Sequence, residues 1–502
     1  MLSSVYIFNT AAAFIQHRPY IFYFVDRRYV NRGGSFYGNV ILQVFLDFFT
    51  EICIIKDGDV MKKRTAAFLA CLTVMTAFAG SCGGNTAAQT TAPTPAAAVT
   101  EQTVQSTVSE TQTEAVTEAA PETSAVINEN LTPEEMIIQS SLLDMGSPER
   151  FADKLNKAAN GEEITVAYIG GSITEGYTVE PEQCWAYLTH QWLCGQYPDA
   201  KINYVNAGLS GTPSTLGLIR ADRDVIAPCG EPDIVFIEFA VNDANDPVNK
   251  EAYESLVRKM LTLDSKPAVA LIFMRTDNGY SCQDWQKEVG YLYHLPMISI
   301  NDALTKAIDD GVMTWEDYSN DGAHPNPEGC KFITEAIKYM FEAFRGNGDR
   351  LLDVDANDIA PIYGDDFVNM HLHDSADLTP VSAGEYENSA PLTAFPNAWT
   401  RKTGANEGIS FDMEFDDLFI VYHCNKNKHF GTADVYVDGE KQCEVNSFAE
   451  DGWSNPVPQL IMRGDGVKPH RVEIKLQGDG EKTYFGILAF GCTNEELTSP
   501  GT

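Results

Sequence analysis

Ile164-Thr165-Val166-Ala167-Tyr168-Ile169 runs into Gly170-Gly171-Ser172-Ile173-Thr174-Glu175-Gly176. A short, largely apolar run that stops at glycines reads as a strand buried on both faces. A serine placed between such a strand and a helix sits on a tight turn, with its hydroxyl presented at the strand's carboxyl end. Alone, a serine in a Gly-rich turn is ordinary turn chemistry. Three more patches follow it in chain order: Asn206-Ala207-Gly208-Leu209-Ser210-Gly211, Val241-Asn242-Asp243 and Asp321-Gly322-Ala323-His324-Pro325. Each has a bland reading as a turn or a helix entry. All four together supply a nucleophile, donors for a developing negative charge, and a base with its carboxylate.

Outward from that core, short apolar runs at 164–169, 202–205, 233–239, 268–273 and 297–300 alternate with helical stretches at 184–197, 214–226, 250–263 and 283–293. A last helix spans about 327–344, with Asn326 as its N-cap and Pro327 at its first position. The alternation predicts a parallel sheet with helices on both faces, and functional groups at the carboxyl ends of its strands. After residue 348 the pattern changes to period-2 alternation at 410–424, 432–445, 470–477 and 482–492, with Asp438-Gly439 as a hairpin turn. The expected fold is therefore an α/β domain with a parallel sheet over 131–348, which the family resemblance below implies is a three-layer α/β/α sandwich, flavodoxin-like in its layering. A C-terminal all-β sandwich, jelly-roll-like, follows over 360–495.

Ester cleavage needs an activated nucleophile and preorganised oxyanion donors. Ser172 is the candidate nucleophile, His324 its general base and Asp321 the group that orients the imidazole. The candidate oxyanion donors are the N–H groups of Ser172 and Gly211 and the side-chain amide of Asn242. These blocks resemble the SGNH hydrolases, also called GDSL esterases and lipases, over about residues 160–345. The resemblance implies ester hydrolysis without a metal or other cofactor. Gly171 stands where the family usually has aspartate, as in a carbohydrate-esterase-like branch, and Ala240 where it usually has glycine.

Other residues carry weaker signals. Glu175 and Tyr177 either line the pocket or cap the next helix. His371 and His373 share one strand face, without a visible third metal ligand. Trp399 and Trp453 either stack on sugars or fill a core. His190 and His294 fall in helical contexts and read as structural. Because every catalytic candidate lies between Ser172 and His324, the sandwich is not expected to supply the triad. A fragment of about 131–350 is expected to hydrolyse a small aryl acetate if it stays folded.

The chain has 71 acidic and 35 basic residues among 502, a formal charge of -36. Such a charge argues against nucleic acid as a partner. Met61-Lys62-Lys63-Arg64, an apolar run over 65–79 and Gly80-Ser81-Cys82 have the form of a signal peptide with a lipobox. Residues 1–60 then read as an upstream extension, 61–82 as the signal and Cys82 as the lipidated residue, with ordinary cleavage after Ala79 as the alternative. Residues 83–130, rich in Thr, Ala, Glu, Gln and Pro, read as a disordered tether. The eight cysteines from Cys184 onward lack C-x-x-C spacing and are expected to be mostly free and buried.

The expected protein is an extracellular serine esterase, lipid-anchored or secreted, that removes O-acyl groups, acetyl first among them, from a polysaccharide or another ester. The alternatives are an acyltransferase, a lipase or an acyl-thioesterase on the same triad, and a glycan-binding lipoprotein without chemistry.

Overall fold

The computed structural model describes residues 131–345, 354–401, 407–478 and 483–494. The upstream extension, the signal segment, Cys82 and the tether lie outside them. Strands β1 (Leu142–Asp144), β2 (Ile164–Gly170), β3 (Ile202–Gly208), β4 (Ile234–Glu238), β5 (Ala268–Phe273) and β6 (Met297–Ser299) form one sheet in the order β1-β6-β5-β4-β2-β3. Pairing is parallel from β3 through β6. The short edge strand β1 departs from the expected all-parallel sheet by running antiparallel to β6. At three residues it carries no period for a sequence reading to detect.

The helices are α1 (Pro133–Ser140), α2 (Glu149–Ala159), α3 (Ser172–Glu175), α4 (Trp185–Gln196), α5 (Ser214–Ile219), α6 (Pro247–Leu261), α7 (Gln283–Leu292), α8 (Ile300–Asp309), α9 (Trp315–Tyr318) and α10 (Pro327–Arg345). Asn326 does cap α10, since its side-chain oxygen accepts from the N–H groups of Glu328 and Gly329. The stretch expected as one helix over 214–226 is instead α5 followed by a separate π-helical turn.

Alternate residues of each strand face opposite ways, so the sheet sorts its side chains into two cores. Val166, Tyr168, Phe236, Ala270 and Ile272 meet Phe151 of α2, Trp185 of α4, Leu304 of α8 and Ile333 of α10. Ala167, Ile169, Ile237, Leu271 and Phe273 meet Ile219 of α5, Leu256 of α6 and Val289 of α7. β2 leads to β3 on one side and β4 on the other, so the direction of winding switches at β2. A crevice opens beyond the carboxyl ends at such a point.

The C-terminal strands are β7 (Met370–His373), β8 (Tyr386–Ser389), β9 (Ala398–Arg401), β10 (Ile409–Phe415), β11 (Leu418–Asn425), β12 (Thr432–Val437), β13 (Glu440–Asn446), β14 (Trp453–Met462), β15 (Lys468–Leu476) and β16 (Gly486–Thr493). They form two sheets, β10-β15-β12-β13 and β14-β11-β16-β9-β8, with β7 paired to β16. Asp438 and Gly439, both at positive φ, make the β12–β13 turn. Trp399 and Phe411 pack between the sheets, 4.9 Å apart. The outer face of the larger sheet adds Phe419, Val421, Leu488 and Ala489 to the core built on α5 and α6. The sandwich is thus a distinct layer stack that shares a core with the first domain.

Candidate active site

Ser172 begins α3 directly after β2, at the winding switch. Its Oγ lies 2.8 Å from His324 Nε2, and His324 Nδ1 lies 2.8 Å from Asp321 Oδ2. Asp321 Oδ1 accepts the N–H groups of Ala323 and His324 at 2.8 and 2.7 Å. Partial burial would raise the Asp321 carboxyl, but those N–H groups and the imidazole outweigh it and hold it at about 2. The carboxylate is therefore ionised at neutral pH, with Nδ1–H directed to it and Nε2 left to accept the Ser172 proton.

The loop that carries Asp321 and His324 is braced from three sides. The Ser319 hydroxyl sits among Asp321 O, Asp321 N and His324 O. The Trp315 indole N–H donates to Asp321 O, and Asp277 N–H donates to Gly322 O at 2.9 Å. Thr178 Oγ1 donates to Pro325 O, which ties the loop to the segment after α3.

The loop carrying the second oxyanion candidate is tied to the turn that carries the serine. Asn206 donates to Thr174 O and accepts from Gly208 N–H, which locks the end of β3 against α3. Leu209 N–H donates to Gly170 O, and Glu175 accepts both Ser210 N–H and the Ser210 hydroxyl. Glu175 is thus the pin of the oxyanion loop; it does not cap a helix. Gly211 takes φ +66, a conformation that favours glycine. Among the described residues no protein acceptor takes the N–H of Ser172 or Gly211 or the amide N–H of Asn242, which leaves three donors for a developing oxyanion.

Gly171, where the resembled family usually has aspartate, lies against Asn242. A Cβ there would stand 2.1 Å from Asn242 Oδ1. A side chain at 171 would require the Asn242 amide to shift from where it stands. Ala240 is fully buried, and its carbonyl accepts Cys282 N–H at 2.7 Å.

Two aromatic side chains stand beside candidate residues, Tyr177 by His324 and Trp453 by Gly211. Tyr177, 67% exposed, holds its ring 5.2 Å from that of His324. Trp453, at the start of β14 and 55% exposed, covers Gly211: a Cβ on the glycine would lie 2.8 Å from its Cζ2. Trp399 is 1% exposed and belongs to the core of the sandwich. Sequence patterning could not separate the two tryptophans, because the β14 segment carries no clear alternation around Pro456 and Pro458.

The remaining candidates stand apart from this centre. His190 is buried beside Cys194, and burial pushes its imidazole down. His294 ends α7 at positive φ, and its carbonyl accepts Ser147 N–H. His371 and His373 each engage a carboxylate, Asp222 and Asp377. Among the described residues no group of three metal-ligating side chains comes together. The eight cysteines from Cys184 to Cys492 are free thiols. No described helix is long and apolar enough to cross a membrane.

Two further groups escaped the sequence reading: Ser319, and Glu238 at the end of β4. The only signal for Glu238 was an acidic residue closing an apolar run, Ile234-Val235-Phe236-Ile237-Glu238.

Residues 168–332 match the model of the GDSL-like Lipase/Acylhydrolase family. Among solved structures, the chain is similar to a two-domain esterase (CEX) active on acetylated mannans, with a TM-score of 0.64 and 26% identity over 72% of this chain and 99% of that one. A structure of such an esterase co-crystallized with mannopentaose gives a TM-score of 0.65 and 25% identity over the same shares. No curated protein sequence matches the chain significantly.

Proposed function

We propose, from the premise that residues 168–332 form a GDSL-like lipase/acylhydrolase domain and that the chain is a serine ester hydrolase, that it removes O-acetyl groups from a polysaccharide, with acetylated mannan the first candidate. The observation that carries this reading is the Ser172–His324–Asp321 line together with Trp453, an exposed aromatic ring from the C-terminal sandwich packed against Gly211. A small-ester hydrolase has no need of such a ring. A pyranose presents an apolar face that packs well on an indole, with its hydroxyls directed to solvent. The similarity to an esterase active on acetylated mannans supports the same choice.

The chemistry follows from the geometry. His324 Nε2 takes the proton of Ser172 as Oγ attacks the acetyl carbonyl. The carbonyl oxygen gains charge among the N–H groups of Ser172 and Gly211 and the Asn242 amide. Asp321 balances the imidazolium. The tetrahedral intermediate collapses as His324 returns the proton to the departing sugar oxygen. A water activated by His324 then releases acetate from the acetyl-serine.

The deciding experiment measures acetate released from acetylated mannan, xylan and pectin, with Ser172→Ala as the control. Preference for mannan that disappears in the control supports the reading, and release from aryl acetates alone would refute it. We assign lipidation to Cys82 and thus a surface location; mass spectrometry of the cell-derived protein tests both. A diacylglycerol-modified Cys82 is the expected product, and peptides from before Met61 would overturn the assignment.

A further inference from the structure

The carboxyl of Glu238 is 0% exposed, and none of the groups acting on it is a cation. A carboxyl without a cation is costly to bury, so its place needs a cause. Glu238 is the last residue of β4, and β4 pairs with β2 so that Glu238 stands opposite Gly170. Its side chain thus lies behind the turn that carries Ser172. Glu238 Oε2 accepts the Thr174 hydroxyl at 2.8 Å, while Oε1 is buried without a partner. The donor stands two residues after Ser172, so one side chain from β4 ties down the turn that carries the nucleophile.

We propose that Glu238 is a positioning residue for Ser172: acting with Thr174, it holds the nucleophile's turn from β4. Gly171 carries no side chain to do so, and a Cβ there would press on Asn242 Oδ1. This inference rests on the reading of Ser172 as the nucleophile.

The space around the pair is full. Thr174 is 0% exposed, and a Cβ on Gly170 would come within 2.2 Å of its Oγ1. The titratable groups that feel Glu238 are Cys184 before α4, Tyr253 of α6 and Tyr318 of α9, all neutral near pH 7. Burial pushes the Glu238 carboxyl up to about 7. Around neutrality it therefore holds a proton in much of the population. A neutral acid places no negative charge beneath an oxyanion, and glutamine reproduces its shape and its acceptor.

The test uses the full chain and p-nitrophenyl acetate. Glu238→Ala and Thr174→Val should lower kcat by about 100-fold and about 10-fold, with KM within threefold of wild type. Rates are taken per folded molecule, from circular dichroism and size exclusion. Glu238→Gln should restore kcat to within fivefold of wild type. If Glu238→Ala does not fold, Thr174→Val, which keeps the volume, decides. A kcat loss in Thr174→Val matched by its loss of folded protein would reduce the pair to a structural role and overturn the proposal. So would a Gln variant as impaired as the Ala variant. A wild-type enzyme whose activity survives Ser172→Ala would sink the parent reading, and this one with it.

Discussion

The two faces of the parallel sheet are closed by different means. One is covered by α2, α4, α8 and α10, all within the first domain. The other is covered by α5, α6 and α7, which are covered in turn by the C-terminal strands. Helix α6 shows the difference. Every residue from Glu251 to Leu261 is buried, including Glu254, Arg258 and Lys259. Glu254 accepts the N–H groups of Ile362, Tyr363 and Gly364 and the Tyr293 hydroxyl. Arg258 reaches Ile359 O and Asp365, and Lys259 reaches Met370 O. A helix charged on its outer side normally meets water; here those charges receive the connecting segment. The first domain holds the chemistry, while its second face is finished by the sandwich.

The contrast can be broken at several points. The largest effect belongs to the first domain: Ser172→Ala should lower kcat on aryl acetate and on polymer alike by about 10^4-fold or more. Circular dichroism should be unchanged; activity near wild type would remove Ser172 from its role. Next comes the seam. A fragment of about 131–350 leaves the faces of α5 and α6 without Phe419, Val421, Leu488 and Ala489. It should bind a hydrophobic dye and aggregate, so the condition on which the sequence reading expected it to be active, that it stays folded, should not be met. Glu254→Ala, which orphans three N–H groups, should cost about 3 kcal/mol in urea denaturation. A soluble, cooperative fragment, or a cost near zero, would show that the first domain closes itself.

Smaller effects sharpen the division. Trp453→Ala should raise KM for acetylated mannan by about 3- to 10-fold and change aryl acetate hydrolysis far less. Equal effects on both substrates would mean that the ring only supports Gly211. The smallest effect is electrostatic. Burial pushes Glu238 and Asp243 up to about 7. Between about pH 4 and 7 the folded chain then holds more protons at these sites than the unfolded chain, so their contribution to stability falls as pH rises. Asp321, held at about 2, acts in the opposite sense: its contribution is present above the unfolded value near 4 and fades as pH drops toward 2. Glu238→Gln should flatten the decline between pH 5 and 7 in denaturation midpoints; an unchanged slope would mean that Glu238 does not titrate there.

Ser172, Asn242, Asp321 and His324 were legible because each sits in a short block whose residue types are tied to one chemistry. The α/β domain was legible because its strands are buried on both faces and read as apolar runs. β1 and α3 were not, being too short to show a period. Glu238 and Glu254 resisted for another reason. A carboxylate in a sequence suggests water, and nothing local shows that backbone N–H groups from distant segments are waiting for it. Trp399 and Trp453 look alike in sequence; only the packing of two sheets against a third separates them.

The protein has six tryptophans, and Trp453 is the exposed one among them. Trp185, Trp285 and Trp399 are buried, and Trp192 and Trp315 are partly so. The side chain that covers Gly211 is therefore also the chain's most solvent-sensitive fluorophore. Its red-edge emission reports on the surroundings of Gly211, while Trp185, Trp285 and Trp399, shut away from water, emit further to the blue. A mannan oligosaccharide added to Ser172→Ala protein should shift the red edge to shorter wavelength without turnover, and Trp453→Phe should abolish the shift. The ring that closes the site thus serves as its optical gauge, and a titration curve can be read with no label attached.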